Sequence, residues 1–372
     1  MRKPLSHPSQ DIPAGKILSG RRLQPDAALR LFRECPLETL GALAHETRMR
    51  KTASAYNGCG GKIVTYAVDR NINYTNVCSV RCGFCAFSRD EHSPDAYLID
   101  FKTLDAKLAE LTSLGGTQVL LQGGHHPKLG LDYCLNLVGH IRKKFPHLNI
   151  HGFSAPEIHD LCQKTGLPCR AVLSRLKDAG LGSLPGGGAE ILCDRVRRRL
   201  SPKKCSTARW LDIMRAAHEI GLRSSATMMY GHIETPEERI RHLDRLRRLQ
   251  DETRGFTAFI AWPFQPGNTV FDGKIEPSGA VDYLRTQALS RLYLDNFDNL
   301  QASWVTQGPQ IGQLALLYGA NDLGSLMIEE NVVAAAGTRH RMNLEEMRRL
   351  ISDLGFKPRQ RDTWYRLISK AR

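Results

Sequence analysis

The chain has 372 residues, of which 41% are hydrophobic, and this is enough for one large barrel or two average domains. Charged residues make up 24% of the sequence, a fraction that excludes a disordered chain. The formal net charge of +14 would suit an anionic partner, although the five arginines at positions 239, 241, 245, 247 and 248 fall on one predicted helix and favour an ordinary solvated surface.

The beginning of the chain predicts neither export nor membrane insertion. Residues 1–8 are polar and contain two prolines, and no apolar stretch of the kind found in a secretory signal follows them. No run approaches the ~18 apolar residues that a spanning helix needs. Seven of the ten cysteines are scattered without close partners, which is typical of reduced thiols in the cytoplasm.

Residues 1–60 are predicted to form a flexible lead-in, up to about residue 20, followed by N-terminal helices. Apolar residues recur at helical spacing over 25–48, and Pro36 is expected to divide this stretch because proline interrupts a helix. A glycine cluster at 58–61 then precedes the apolar run 63–68.

From residue 71 onward, strand-like runs alternate with helical patterns. The runs lie at 72–77, 118–122, 149–154, 182–184, 225–230, 257–262, 300–305 and, more weakly, 322–325. Thr103, Thr207 and Asn343 are predicted helix N-caps. The alternation predicts an α/β fold, a TIM-type (β/α)₈ barrel over 61–330, with an open six-stranded barrel as the alternative. Residues 331–372 are predicted to form a C-terminal helical extension packed on the barrel.

Cys78, Cys82 and Cys85 fall on one short loop directly after the first of these runs. A disulfide would use two of the thiols and leave the third alone. Zinc prefers four ligands, and no second close pair of Cys or His with finger spacing is present. An iron–sulfur cluster accepts such clustered cysteines, and with three ligands it would keep one iron open.

The loops after the other runs are rich in glycine and polar residues. Catalytic residues of a barrel are expected in these loops, at the carboxyl ends of the strands. Residues 122–127 contain two glycines and two histidines, and residues 185–190 contain three successive glycines and then Glu190. Glycines there allow close approach of a ligand, although simple turns also use them. Ser154 and Glu157 are equally compatible with a helix cap. His125, His126 and His232 could be acid–base groups or hydrogen-bonding residues, so no catalytic residue is assigned.

The spacing C-x₃-C-x₂-C, with an aromatic residue before the last cysteine, resembles the radical S-adenosylmethionine (SAM) enzymes. Longer strings at 69–76, 122–127, 185–190, 319–325 and 360–365 are similar to the group of menaquinone-futalosine and deazaflavin-cofactor enzymes. The string at 256–269 is similar to the branch of that group that closes a ring on a futalosine-type substrate. The resemblance covers roughly residues 60–370, and residues 56–60 depart from it.

The resemblance implies a set of site residues. Cys78, Cys82 and Cys85 would bind a [4Fe–4S] cluster, and its open iron would chelate SAM. Phe84 would flank the adenine, and Gly123 and Gly124 would meet the methionine amino group. The residues expected to hold the rest of SAM are Ser154, Glu190 and Arg195.

The resemblance also implies the reaction and its partners. A 5′-deoxyadenosyl radical would take hydrogen from C4′ of the ribose of a nucleoside-like substrate that bears a benzoate, and a new ring would close on the benzoate. The two aromatic residues Trp262 and Phe264, with the neighbouring prolines, would form a rigid pocket wall. Gln265 or Asn268 would hold a ribose hydroxyl or the carboxylate. An external donor such as flavodoxin or ferredoxin would supply electrons. Neither a nucleic-acid partner nor a membrane span is expected. The alternatives are aminofutalosine synthase, the tyrosine-using half of deazaflavin synthase, and a zinc-containing nucleic-acid-binding module.

Overall fold

The computed structural model describes residue 15 and residues 18–368, so most of the predicted lead-in lies outside the described residues. The strands are β1 Ile63–Ala67, β2 Asp69–Asn73, β3 Gln118–Gln122, β4 Asn149–Gly152, β5 Ser183–Leu184, β6 Arg223–Tyr230, β7 Phe256–Pro263, β8 Leu300–Gln301, β9 Asp322–Ser325 and β10 Lys357–Gln360. The helices are Pro25–Glu34, Leu37–Thr52, Ala55–Gly58, Phe101–Ser113, Leu131–Lys144, Ala155–Thr165, Cys169–Ala179, Asp194–Leu200, Thr207–Glu219, Pro236–Thr253, Ala280–Tyr293, Trp304–Gln307, Pro309–Ala315 and Leu344–Asp353.

The ten strands form one sheet in the order β10-β1-β9-β8-β7-β6-β5-β4-β3-β2, and every named pair is parallel. β1 and β2 are separated by Val68 alone, so they continue one another. Beyond β9, Ile328 N–H donates to Asp69 O (3.2 Å) and Asn71 N–H donates to Glu329 O (3.3 Å). These bonds bring the chain after β9 alongside β2, and the sheet curls into the predicted TIM-like barrel.

Several predicted boundaries were wrong by a few residues. The first predicted run, 72–77, is strand only up to Asn73, and the run 300–305 is strand only at Leu300–Gln301 before a helical turn begins. The helix predicted to start at Thr103 is capped by Asp100, whose carboxylate accepts from the Thr103 N–H (2.8 Å). Likewise Ser206 rather than Thr207 caps the next predicted helix. Asn343 is confirmed as the cap of helix Leu344–Asp353, and Pro36 does separate two helices.

The arginine-rich helix Pro236–Thr253 is less solvated than predicted. Arg247 is 4% exposed, and its guanidinium donates to Leu23 O (2.8 Å) and to the Tyr293 hydroxyl (2.9 Å). Arg239 donates to Glu234 and Asp282 inside the same layer of helices. Some of these arginines are therefore used in hydrogen bonds and ion pairs that join the N-terminal segment and neighbouring helices to the barrel.

The segment after residue 330 adds more than the predicted helix, because it also contributes strand β10. β10 pairs with β1 from Ile63 to Tyr66. Just after it, the Arg361 guanidinium makes a two-pronged ion pair with the fully buried Asp322 carboxylate, at 2.7 and 3.0 Å. The C-terminal segment thereby fills the amino-terminal end of the barrel and separates its interior from solvent there.

No helix in the described part of the chain is both long and apolar enough to pass through a membrane.

Candidate radical SAM site

The cysteine loop, residues 78–85, is anchored to four other parts of the chain. Cys78 N–H donates to Arg89 O (3.0 Å), and Ser79 N–H donates to His125 O (3.0 Å). Gly83 N–H donates to Leu200 O (2.9 Å), and its own carbonyl accepts from Val270 N–H (3.2 Å). These bonds fix the loop backbone, so the thiols are presented from a defined position at the carboxyl end of the sheet.

All ten cysteines are free, so the structure contains no disulfide in this loop. Cys82 is buried, whereas Cys78 and Cys85 are half-buried. In the described residues, no three His, Cys, Asp or Glu side chains converge closely enough to hold a single metal ion. Three soft thiols on one loop suit an iron–sulfur cluster.

Gly123 and Gly124 pack directly against the segment that leads into the cysteine loop. A Cβ on Gly123 would lie 2.5 Å from the Tyr74 ring, and one on Gly124 would lie 2.2 Å from Val77 O. Larger side chains therefore do not fit at either position. Both glycines are required for packing the loop, whatever their role toward a ligand.

Glu157 links the ends of β2, β3 and β4. The sequence alone was compatible with either a helix-capping role or a ligand-binding role for this residue. One carboxylate oxygen accepts from Tyr74 OH (3.0 Å) and from Gly123 N–H (3.1 Å). The other accepts from the backbone N–H (2.7 Å) and hydroxyl (2.6 Å) of Ser154. Ser154 and Gly123 are thus brought together by one buried carboxylate.

The three glycines before Glu190 have different surroundings. A Cβ on Gly186 would meet the β6 backbone, with Ala226 Cα at 2.7 Å, and Gly188 has a φ of +76°. A Cβ on Gly187 would instead lie 2.6 Å from the Gln122 side-chain nitrogen, which is the flexible end of a side chain. Gly186 and Gly188 are therefore needed by the fold, and Gly187 is the position open toward a ligand.

Glu190 has a left-handed backbone (φ +41°) and a buried carboxylate between two cations. Lys204 Nζ donates to its Oε1 (2.9 Å), and the Arg197 guanidinium lies 3.4 Å from its Oε2. Burial alone would raise the pKa of Glu190, but the attraction of Lys204 and Arg197 outweighs it and the pKa is lowered. Lys204 also lies 5.0 Å from the centre of the Phe84 ring, so Phe84 and Glu190 are neighbours of one ammonium.

The structure does not bring Arg195 to Glu190. Its guanidinium donates to Glu238 (2.8 and 2.5 Å) and to Ile233 O (2.9 Å), and its side chain is 47% exposed. The cations that reach Glu190 are Arg197 and Lys204, which the sequence did not single out.

A cavity of about 280 Å³ occupies the barrel interior. Gln122, Pro185 and Gly187 line it at the strand ends that carry the candidate cofactor residues, and Trp262, Gln301 and Glu330 line it from other elements. A larger cavity of about 690 Å³ lies among the starts of β6–β8, at the opposite end. The smaller cavity is the candidate site, because chemistry in such barrels sits at the carboxyl ends of the strands.

The aromatic wall of the cavity is Trp262 and not Phe264. Phe264 is 1% exposed and packs edge-to-face against Phe271 (5.9 Å between ring centres) and His232 (6.1 Å). The expectation that Phe264 shapes the pocket directly is therefore wrong, because its ring belongs to the core behind the wall. The Gln265 side-chain oxygen accepts a hydrogen bond from the Thr338 hydroxyl, in the segment after β9 (3.3 Å). Gln265 does not line the cavity either.

The three histidines at the strand ends differ in their surroundings. His232 is fully enclosed and pairs with Glu234 (2.8 Å), whose pKa is lowered because His232 and Arg239 outweigh the effect of burial. His125 lies 3.9 Å from Asp160, and burial lowers the pKa of His126. None of the three lines the central cavity, so their geometry favours hydrogen-bonding roles.

Two family models match the chain. The radical SAM superfamily matches residues 72–246, and the CofH/MqnC C-terminal region matches residues 253–371. Cyclic dehypoxanthine futalosine synthase of Halalkalibacterium halodurans is 42% identical over 355 residues, which cover 95% of this chain and 93% of that protein. Aminodeoxyfutalosine synthase of Thermus thermophilus is 42% identical over 361 residues, covering 95% of each chain. The crystal structure of methylornithine synthase (PylB) shares the fold, with a TM-score of 0.71 at 19% identity over 93% of this chain and 96% of that one.

Fold, cysteine loop and family match together define a radical SAM enzyme. Within that superfamily, the chain belongs to the family that carries the CofH/MqnC C-terminal region and includes the futalosine-pathway synthases. Membership implies a [4Fe–4S] cluster and SAM as cofactors.

Proposed function

We propose that this enzyme is a cyclase that converts dehypoxanthine futalosine to cyclic dehypoxanthine futalosine in menaquinone biosynthesis. The observation that carries the proposal is the 42–43% identity, over 94–95% of the chain, to two proteins of that name. The string at 256–269, which forms β7 and the segment after it, supports the same branch of the family.

Cys78, Cys82 and Cys85 are the proposed ligands of the cluster. The fit rests on the donor set, since three thiols come from one loop whose backbone is fixed by hydrogen bonds on both sides. When bound, the cluster and SAM together supply a 5′-deoxyadenosyl radical.

The proposed SAM-binding residues are Phe84, Gly123, Gly124, Ser154, Glu190 and Arg195. Support is strongest for Phe84, which belongs to the cysteine loop, and for Glu190, because both contact Lys204. Gly124 contacts Cys78, while Gly123 and Ser154 share Glu157. Arg195 has the weakest support, because its guanidinium is bound to Glu238.

The cavity residues are proposed to hold the substrate in a folded conformation. Ring closure requires the ribose and the benzoate ring to meet at about 3–3.5 Å. Trp262 offers a flat apolar wall, and Gln122 and Gln301 offer amide groups to hydroxyls or a carboxylate. Enclosure of the bound substrate within the barrel would protect the carbon radical from side reactions.

We further propose a cytoplasmic location and an external electron donor of the flavodoxin or ferredoxin type. The ten free cysteines support a reducing compartment. We also propose that residues 61–330 form the catalytic barrel and that residues 331–372 complete it as a C-terminal extension.

The test uses anaerobically purified, reconstituted enzyme with SAM and a reductant. Dehypoxanthine futalosine and an enolpyruvyl benzoate are supplied in separate reactions, and products are read by mass spectrometry. Cyclic product together with 5′-deoxyadenosine from the first substrate supports the proposal. Coupling of the enolpyruvyl benzoate to SAM would move the assignment to aminodeoxyfutalosine synthase, which is equally identical to this chain at 42%.

A further inference from the structure

Lys204 is a nearly enclosed cation to which the proposed function gives no role. Its side chain is 13% exposed, and its Nζ lies 2.9 Å from Glu190 Oε1. The same ammonium lies 5.0 Å from the centre of the Phe84 ring. Phe84 stands between Cys82 and Cys85 in the chain, so the charge of Lys204 is directed at the cysteine loop.

The surrounding backbone holds Lys204 in this place. Leu200 O accepts the Gly83 N–H (2.9 Å), which ties residues 200–205 to the cysteine loop. Arg197 donates to Ala189 O (2.7 Å) and to Cys205 O (2.7 and 3.1 Å), which ties the same residues to the loop before Glu190. Lys204 therefore stands on a bridge between the two loops, and its position does not depend on a flexible side chain alone.

Lys204 keeps its charge despite its burial. The Glu190 carboxylate lies 2.9 Å from its Nζ and compensates the positive charge within the protein. A charge in such a weakly screened position interacts much more strongly with its neighbours than one in water.

We propose that Lys204 tunes the reduction potential of the iron–sulfur cluster. Its enclosed ammonium stabilises the reduced cluster and so raises the potential, while the Glu190 carboxylate moderates that effect. The inference rests on the proposed cluster site at Cys78, Cys82 and Cys85. Reduction moves a single electron from an external reductant to the cluster and adds one negative charge beside Lys204. A nearby positive charge favours that state, and a nearby negative charge opposes it.

The experiment measures the midpoint potential of the cluster in reconstituted full-length enzyme without SAM, by redox titration followed by electron paramagnetic resonance. The variants are Lys204→Met, Lys204→Arg, Glu190→Gln and the double variant Lys204→Met/Glu190→Gln. The matched control is Lys203→Met, because the neighbouring Lys203 side chain also reaches the loop, at Ser79 O (3.4 Å), but is exposed and screened by solvent.

The expected shifts have opposite signs. Lys204→Met shifts the midpoint to a more negative potential, and Glu190→Gln shifts it to a less negative one. The double variant lies between them, and Lys204→Arg and Lys203→Met stay near the wild type. A purely structural role for Lys204 would not produce opposite shifts from two partners of one ion pair.

An unchanged midpoint in Lys204→Met with full iron content overturns the inference. Weakened SAM binding alone, with the potential unchanged, would also overturn it and make Lys204 a cofactor-binding cation. Iron and sulfide content per chain separates these outcomes from failure of the proposed function. Wild-type protein that binds no iron would contradict the cluster assignment itself. A full cluster with an unchanged potential in the variants would contradict only the role of Lys204.

Discussion

Cys82 is the most enclosed of the three loop cysteines and lies beside a buried cation. We expect Cys82→Ala to lose the cluster and with it all SAM cleavage, because two thiolates remain where three are required. Iron content and 5′-deoxyadenosine formation are the measurements. Cys59→Ala is the control, since this exposed thiol lies outside the loop, and it should retain both. Normal iron content in Cys82→Ala would contradict the cluster assignment.

Trp262 and Phe264 are two residues apart, yet their substitutions should have different effects. Trp262→Ala removes the cavity wall, so hydrogen abstraction should continue while ring closure falls, giving 5′-deoxyadenosine in excess of cyclic product. Phe264→Ala removes a core ring and should lower the free energy of unfolding by about 3–5 kcal/mol. Single-turnover product ratios and denaturant unfolding measure the two effects. An equal product ratio in Trp262→Ala and the wild type would show that the wall does not fold the substrate.

At the residue level, the sequence indicated the cysteine loop because its three cysteines lie within eight residues of the chain. It missed Lys204 and Arg197 because their partner, Glu190, is brought to them by the turn of a loop rather than by helical or strand spacing. Strand parity distinguishes the two expected wall residues, since Ala258, Ile260 and Trp262 alternate along β7 and all line the cavity. Phe264 shares that parity but follows the end of the strand at Pro263, where alternation no longer applies.

Strand β10 and the turn after it close the amino-terminal end of the barrel through Arg361. Arg361→Met should leave the buried Asp322 carboxylate without its counter-charge, at a cost of about 3–5 kcal/mol in the free energy of unfolding. Arg366→Met is the matched control, because its pair with Asp362 has an arginine side chain that is 73% exposed. Such a pair contributes about 0–1 kcal/mol. Equal unfolding midpoints for the two variants would argue against a structural role of the buried pair.

The predicted elements differ in how strongly the sequence specified them. Helices with amphipathic spacing and a clear cap, such as Leu344–Asp353, were found at their observed start. β10 was missed because Lys357–Gln360 is polar and half exposed, without the apolar pattern of a buried strand. The predicted extent of β8 was too long because Ala302, Trp304 and Val305 are apolar. In the structure, Trp304 begins a helical turn, and its indole Nε1–H donates to Ser325 O (2.9 Å).

The whole molecule encloses histidines that should make its stability depend on pH. Burial lowers the pKa of His151 and His242 to about 3 and that of His218 to about 4. An unfolded histidine has a pKa of about 6.5, so below that pH the unfolded chain binds more protons than the folded one. Stability should therefore fall as the pH decreases from about 6.5 toward 4.

His218→Gln tests this dependence away from the site. Each such histidine contributes a slope of up to about 1.4 kcal/mol per pH unit within that window. The variant should show a shallower decline of the free energy of unfolding between pH 6.5 and 4.5, measured by denaturant titration. The exposed His92→Gln should retain the wild-type slope. A wild-type slope in His218→Gln would show that this residue is not the titrating group.

The position of β1 has a consequence for how the chain is made. Its two neighbours, β9 and β10, are the last strands of the sheet, so β1 leaves the ribosome long before either partner exists. Until then its N–H and C=O groups form an open edge, which invites pairing with other nascent chains. Translation that stops before residue 357 would leave this edge without the β10 partner that completes it. Strand β10, which is synthesised long after β1, therefore protects the first strand of the barrel from aggregation.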